Sequence, residues 1–294
     1  MIAKDLDPFE CSDPRELAGR AAEEQMAFYL KRRFQDDPDV WVFNGLRFQY
    51  QNVFTQIDHL VLCTWGIFVV ESKSVTTSVM VNERGEWARQ IDGVWKGMAS
   101  PLEQANEQLL QLLNLLNDHA DEVLSKVLGA LQRRYGGFER GCYCAVSDNG
   151  IIERATQSLC PEALKADQIG RVISERMTQL KQDSSFLRGM LNLKRNPVIT
   201  FVPEDLLKTK DFLLKVHTPR KPAESLRAMS TQLVSNVLIL PGTDGPSKPV
   251  EAPRNGYFCS KCGCGITPRV AQFCWTNKGR FGGKAYCMGC QKGV

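Results

Sequence analysis

The chain has 294 residues, 43% hydrophobic and 24% charged, with a formal net charge of +4. That is an ordinary globular composition, with room for one sizeable domain and an appendage, or for two domains. So mild a charge permits a nucleic-acid partner without requiring one, and it lacks the strongly basic footprint of a dedicated nucleic-acid binder.

From the N-terminus, Met1 to Asp7 has no apolar core and no signal-peptide plan. The longest nearly uncharged apolar run, Leu60 to Val70, is too short to span a bilayer, so a cytoplasmic location is expected. Residues 15–34 read as a helix. Asp13 is its candidate N-cap and Pro14 its first residue, with Leu17, Ala21, Phe28 and Leu30 as the apolar face. Strand material follows from Val40 to Phe43 and from Leu46 to Tyr50, interrupted at Asn44-Gly45. The stretch from Gln56 to Lys73 then reads as a hairpin, two β-branched apolar runs around a short turn with Gly66. A second, smaller hairpin joins Val79–Val81 to Glu86–Gln90 through Asn82-Glu83-Arg84-Gly85.

Ser100-Pro101 opens a strong helix with Leu102, Ala105, Leu109, Leu112, Leu113 and Leu116 on its apolar face. Gln104, Gln108 and Gln111 are placed elsewhere on it. Another helix is expected over Asp121–Tyr135, then a buried strand over Cys142–Val146 closed by Ser147 to Gly150. Residues 161–193 look largely helical, and Val198–Val202 reads as a last strand. Helices are expected at Asp205–Lys215 and Ser225–Val237, ahead of a Pro- and Gly-rich linker. The expected division is 1–150 as the main domain, 151–240 as a mainly helical extension, 241–256 as linker and 257–294 as a cysteine module. The order is mixed α/β, and no G-x-G-x-x-G follows the first strand to suggest a dinucleotide site.

The central hairpin carries the chemistry. Glu71 and Lys73 are two residues apart on a strand and share a face. Asp58 joins them if a four-residue loop, Cys63 to Gly66, pairs Leu62 with Ile67. A three-residue loop would place Asp58 opposite Ser72 on the wrong face. Two facing carboxylates repel unless a cation sits between them, and an Mg²⁺ or Mn²⁺ ion with oxygen ligands is the natural candidate. Lys73 would hold a water or stabilise charge on a phosphate oxygen. The plainer alternative is a Glu–Lys pair at a strand end. His59 is turned to the other face by strand alternation, and Cys63 is read as filler.

Of eleven cysteines, six fall between Cys259 and Cys290. Cys259-x2-Cys262 and Cys287-x2-Cys290 are two knuckles with the ligand number and spacing for tetrahedral Zn²⁺. Cys264 and Cys274 are spare and could substitute as ligands. The tail interleaves Arg269, Lys278, Arg280, Lys284 and Lys292 with Phe273, Trp275, Phe281 and Tyr286. Those groups suit phosphates and unpaired bases, or the aromatics are simply the small module's core.

Four motifs taken together resemble the nuclease-related domain family of the PD-(D/E)xK, restriction-endonuclease-like superfamily. They are Gly19-Arg20-Ala21-Ala22-Glu23, Gln56-Ile57-Asp58-His59-Leu60-Val61, Gly66 to Lys73, and Pro101-x-x-Gln104-Ala105. Ser100-Pro101 stands where the family often has Asn-Pro. The resemblance covers about residues 15–147. It implies a mixed sheet flanked by helices, with Asp58 and Glu71 as metal ligands and Lys73 as the catalytic lysine. Glu23 and Gln104 would complete the site, with Glu24 in Glu23's place if the first helix is aligned one residue off. The segment from Ile266 to Gln291 similarly resembles the zinc-ribbon tails of such proteins and, more distantly, of type I topoisomerases. The function this implies is a Mg²⁺- or Mn²⁺-dependent nuclease acting on DNA, with a structural Zn²⁺ ribbon helping to hold the substrate. The rival is a non-cleaving nucleic-acid-binding or adaptor protein that keeps the fold.

Overall fold

The computed structural model describes residues 1–127, 130–156, 158–184, 199–220, 257–262, 265–266 and 268–293. The chain divides into two compact units, Met1–Ser235 and Asn236–Val294.

The first unit opens on β1 (Ile2–Lys4) and α1 (Pro14–Phe34). Asp13 caps α1 by accepting a hydrogen bond from the Arg15 N–H at 2.7 Å. The strands β2 (Val40–Tyr50), β3 (Val53–Cys63) and β4 (Gly66–Lys73) form an antiparallel meander. Gln51 and Asn52, both with positive φ, make the tight turn between β2 and β3. The second sheet follows as β5 (Ser78–Val81), β6 (Trp87–Ile91) and β7 (Val94–Met98). Then come α2 (Pro101–Asp118), the short α3 (Ala120–Val123), and a small pair of β8 (Lys126–Val127) and β9 (Leu131–Gln132). The unit continues with β10 (Glu139–Val146), β11 (Ile151–Arg154), β12 (Ala163–Lys165), α4 (Ala166–Asp183) and α5 (Pro203–Val216).

The main sheet has the order β1-β2-β3-β4-β10-β12, and the smaller one β11-β5-β6-β7. Both are mixed, since β4, β10 and β12 run parallel, as do β5 and β11, while β5, β6 and β7 alternate. The expected mixed α/β sheet flanked by helices is what the chain forms. One face of the main sheet, with Leu60, Leu62, Ile67 and Val69, packs on Ala105, Leu109, Leu112 and Leu116 of α2. The other, with Val61, Phe68 and Val70, packs on Met26, Leu30 and Phe34 of α1 and on Ile169 and Ile173 of α4. A strand buried on both faces has to be apolar along its length, which is why β4 reads as a continuous hydrophobic run until Glu71.

Several elements differ from the sequence expectation. The buried stripe of α1 is Ala22, Met26, Leu30 and Phe34, whereas Leu17 and Phe28 are exposed. Strand β2 runs through Asn44-Gly45, although the ladder omits Gly45, whose φ is 65°. Strands β1 and β12 extend the main sheet, and β7 and β11 the smaller one, beyond the expected strands. The helix expected over Asp121–Tyr135 is instead the short turn of α3 followed by the paired strands β8 and β9. Asp205 of α5, fully buried, accepts from the Ser125 N–H and hydroxyl at 2.9 and 2.6 Å and from Arg133 at 3.1 Å, which draws this segment away from helical pairing. Residues 199–202 form no strand; the Phe201 N–H bonds the Thr64 carbonyl instead. Residues 163–165 pair as β12 ahead of α4. The expected helix over Ser225–Val237 and the linker over 241–256 lie outside the described residues.

In the second unit, β13 (Tyr257–Phe258) pairs with β14 (Gly265–Ile266), followed by α6 (Pro268–Thr276) and α7 (Lys278–Phe281). Its core is Ala271, Cys274, Phe281 and Ala285, with Trp275 and Tyr286 packed against it.

Gly66 sits where β4 leaves the turn and starts pairing with β10, and a Cβ there would run into the Glu139 carbonyl oxygen. Because that oxygen belongs to a neighbouring backbone, the clash has no flexible side chain to yield. Gly66→Ala is expected to destabilise the first unit by about 3 kcal/mol, as forced overpacking does, read as a lowered midpoint in urea or thermal unfolding.

Candidate active site and cysteine centre

The β3–β4 ladder pairs Leu62 with Ile67 and ends at His59 with Val70. That register places Asp58 opposite Glu71. The further pair Cys63–Gly66 tightens the connection to Thr64-Trp65. Neither the Gly45–Asp58 nor the Asp58–Glu71 position is part of a ladder, so the strands open around Asp58. Its Oδ2 fills the gap by accepting the Ser72 N–H at 2.9 Å.

Glu71 is 2% exposed and is bonded at both oxygens. Oε1 accepts from Lys73 Nζ at 2.5 Å and Oε2 from Gln108 Nε2 at 3.0 Å. Gln104 Oε1 in turn accepts from Lys73 Nζ at 3.1 Å. Gln104 and Gln108 are four apart on α2 and so project together. Ser100 aims this helix by capping it, accepting the Glu103 N–H at 3.2 Å. Asp58, Glu71, Lys73 and Gln104 are thus brought to one place.

Gln108 is the residue sequence reasoning missed, since it was placed away from the buried face and is 8% exposed. The signal was its spacing from Gln104 and its position between Ala105 and Leu112 on the stripe that packs against β4. Its Oε1 is buried without a hydrogen-bond partner among the described residues, so packing alone does not account for a glutamine at this position.

Glu23 enters from α1. Its side chain is 21% exposed against 60% for Glu24, and Arg20 Nη1 lies 3.8 Å from Glu23 Oε2. Glu23, rather than the fallback Glu24, therefore faces inward. Burial raises its carboxyl pKa, Arg20 opposes the rise, and the charge of Glu71 adds to it. Asp58 is pushed well above the ordinary carboxylate range, first by burial and then by Glu71 and Glu23, against the Ser72 N–H and Lys73. Three acids therefore feel one another at this end of the sheet. Within this arrangement Glu23 does not join Asp58 and Glu71 in one tight ligand group; among the described residues that closeness belongs to the four cysteines alone.

Behind the site His59 is fully buried, bonding Asn44 Oδ1 at 2.8 Å and Ser72 Oγ at 3.1 Å. Burial lowers its pKa to about 3, so it is neutral and serves as a packed strut beneath Ser72. Cys63 is buried filler, its thiol pushed up to about 12.

The donor set suits a hard divalent cation. Two half-buried to buried carboxylates face each other, burial and mutual repulsion raise Asp58, and the surrounding polar groups are oxygen and amide donors. In the second unit the Sγ atoms of Cys259, Cys262, Cys287 and Cys290 all lie within 4.8 Å of one another, a set able to hold a metal such as zinc. Cys274 is fully buried in that unit's core, where its sulfur accepts from Tyr286 N at 3.3 Å, and it is not one of this group. Cys264 lies outside the described residues. Phe281, Trp275 and Tyr286 belong to the module's core cluster, whereas Phe273 is 52% exposed.

The raised pKa of Asp58 fixes a sign. The folded protein holds this proton more tightly than the unfolded chain, so stability falls as pH rises from the unfolded value of about 3.9 through the raised folded value. Above that window the whole penalty is present. In metal-free first unit, Asp58→Asn is expected to melt above wild type at pH 7, with the gap closing toward pH 4. Equal melting curves across this range would remove the repulsion from the account.

Residues 18–130 match the family model of the nuclease-related domain. No curated protein and no solved structure matches the chain. The matched segment contains Glu23, Asp58, Glu71, Lys73, Gln104 and Gln108, while the cysteine module lies outside it, so the part of the chain that is similar to nuclease-related domains is the part that builds the acidic site.

Proposed function

We propose that the first unit is a metal-dependent nuclease acting on DNA, and that the cysteine module binds Zn²⁺ structurally and helps to hold the nucleic acid. The observation that carries this reading is the convergence of Asp58, Glu71 and Lys73 where β3 and β4 part, with Gln104 and Gln108 bonded to two of them. The match of residues 18–130 to nuclease-related domains supports it.

Asp58 and Glu71 would hold Mg²⁺ or Mn²⁺. Such an ion, when bound, polarises a phosphoryl oxygen and makes water a nucleophile near neutral pH. The rest falls to the chain itself. Lys73 exchanges its bond to Glu71 for the scissile phosphate or the attacking water, and Gln104 keeps its Nζ in place. Gln108 holds Glu71 in one rotamer by its donor at Oε2. Glu23, with Arg20 Nη1 3.8 Å from its Oε2, stands at the edge of the site, where its raised pKa favours taking up a proton.

The test is cleavage of plasmid, linear and single-stranded DNA by zinc-loaded protein with Mg²⁺ or Mn²⁺. Lys73→Ala is expected to lose on the order of a hundredfold or more in rate while retaining DNA binding. A wild type that binds DNA but cuts no nucleic acid with either metal would establish the adaptor reading instead. That rival draws on one observation: Glu71 is already satisfied at both oxygens by Lys73 and Gln108.

Gln108→Leu tests the support of Glu71. It is expected to slow cleavage about 10- to 100-fold, as loss of a ligand's hydrogen-bond partner does, and to lower the melting temperature as well, because Glu71 Oε2 loses its donor where it is buried. For the cysteine module, elemental analysis should return one zinc per chain, and Cys287→Ser should lose it. Full zinc content in that variant would contradict the four-cysteine assignment.

A further inference from the structure

Between Lys73 at the end of β4 and Gln104 in α2, the chain makes the β5–β6–β7 part of the second sheet. Its outer ribbon, β6–β7, pairs Trp87 with Met98, Arg89 with Lys96 and Ile91 with Val94. Asp92 and Gly93 close it in a tight turn with φ of 51° and 77°. Strand alternation sets all three pairs on one face. At the base of that face Trp87 and Met98 pack with Val75, Val79, Val81 and Val146. Val146 stands opposite Lys73 in the β4–β10 register, and Val75 follows Lys73 by two residues. The ribbon's inner face is therefore rooted beside the candidate site.

Further out on the same face Arg89 and Lys96 are directly opposed and exposed. Like charges opposed across a ladder destabilise it. Among the described residues no carboxylate pairs with either side chain. Asp92, in the turn, is the one acid of the ribbon. Past the cation pair Ile91 and Val94 flank the Asp92-Gly93 turn as apolar residues, with Val94 59% exposed.

A partner that relieves the repulsion has to be anionic on either side of a narrow ribbon and has to accept apolar residues beside its turn. Duplex DNA meets both conditions. Its phosphates neutralise opposed cations, and its major groove admits a two-stranded ribbon and offers thymine methyl groups to apolar side chains. We propose that β6–β7 is an arm that grips duplex DNA, with Arg89 and Lys96 on backbone phosphates and the Ile91–Val94 tip in the groove. The proposal rests on the nuclease reading and names where its substrate is held.

The experiment is fluorescence anisotropy of a short labelled duplex and of its single strand, over a series of salt concentrations. Mg²⁺ and chelator are both omitted, so that the cysteine site stays loaded and nothing is cut. In the double variant Arg89→Ser, Lys96→Ser, duplex affinity at low salt is expected to fall at least tenfold. The slope of log affinity against log salt should become shallower by about 2, close to one unit for each phosphate no longer neutralised. Val94→Asp should weaken duplex binding too, and both variants should melt at or above the wild-type temperature because neither touches the buried base of the ribbon. A double variant with the wild-type slope overturns the arm and leaves the nuclease reading standing. Losses confined to the single strand overturn the assignment to duplex. Wild type with no affinity for either nucleic acid overturns the arm and the nuclease reading together.

Discussion

A carboxylate buried to 2% exposure has to be compensated where it lies, and Glu71 is compensated at both oxygens. Leaving one of those oxygens without a partner would cost on the order of several kcal/mol, because water cannot reach it. That requirement explains why Lys73 and Gln108 take the positions they do. It also explains why Gln104 matters: by accepting from Lys73, it ties the strand to α2 a second time. Asp58 is the member left under tension, held by the Ser72 N–H and the charge of Lys73 against burial and two neighbouring acids. A site in which one acid is fully satisfied and the other is not is poised to accept a cation.

The topology delivers these groups to one place. Strand β4 is central, pairing with β3 on one side and with β10 on the other, so its end is fixed from both directions. Helix α2 lies along the run from β4 to β10, and it packs Ala105, Leu109 and Leu112 on the face that Glu71 and Lys73 share. Helix α1 covers the opposite face and brings Glu23 to the edge. Below the site, His59 links Asn44 of β2 to Ser72 of β4 as a neutral strut. The backbone N–H that Asp58 accepts thus belongs to a residue held by its own side chain.

Much of this is legible in the residues. The hairpin register follows from pairing Leu62 with Ile67, and both α1 and α2 begin at their Asx/Ser–Pro signals. What is not legible has physical causes. The first helix shows no clear amphipathic stripe, so Leu17 and Phe28 look like core while small Ala22 and flexible Met26 do the packing. The stretch after α2 has helical composition, but the buried Asp205, eighty residues beyond Ser125, takes the Ser125 N–H along with the Ser125 hydroxyl and the Arg133 side chain. Gln108 looks like a solvent residue because a buried glutamine is recognisable only by the carboxylate it serves. Strand β7 leaves little trace in the sequence because Val94–Met98 is exposed or half-buried throughout and shows no apolar alternation. The same exposure leaves Arg89 and Lys96 open to a partner.

The central claim is that the opening between β3 and β4 holds a catalytic divalent cation. Calorimetric titration of Mn²⁺ into zinc-loaded protein addresses it without depending on any substrate. The account predicts one site per chain in addition to the zinc, absent in Glu71→Gln and retained with unchanged affinity in Arg89→Ser. Wild type that takes up no Mn²⁺, or Glu71→Gln that binds it as tightly as wild type, would contradict it.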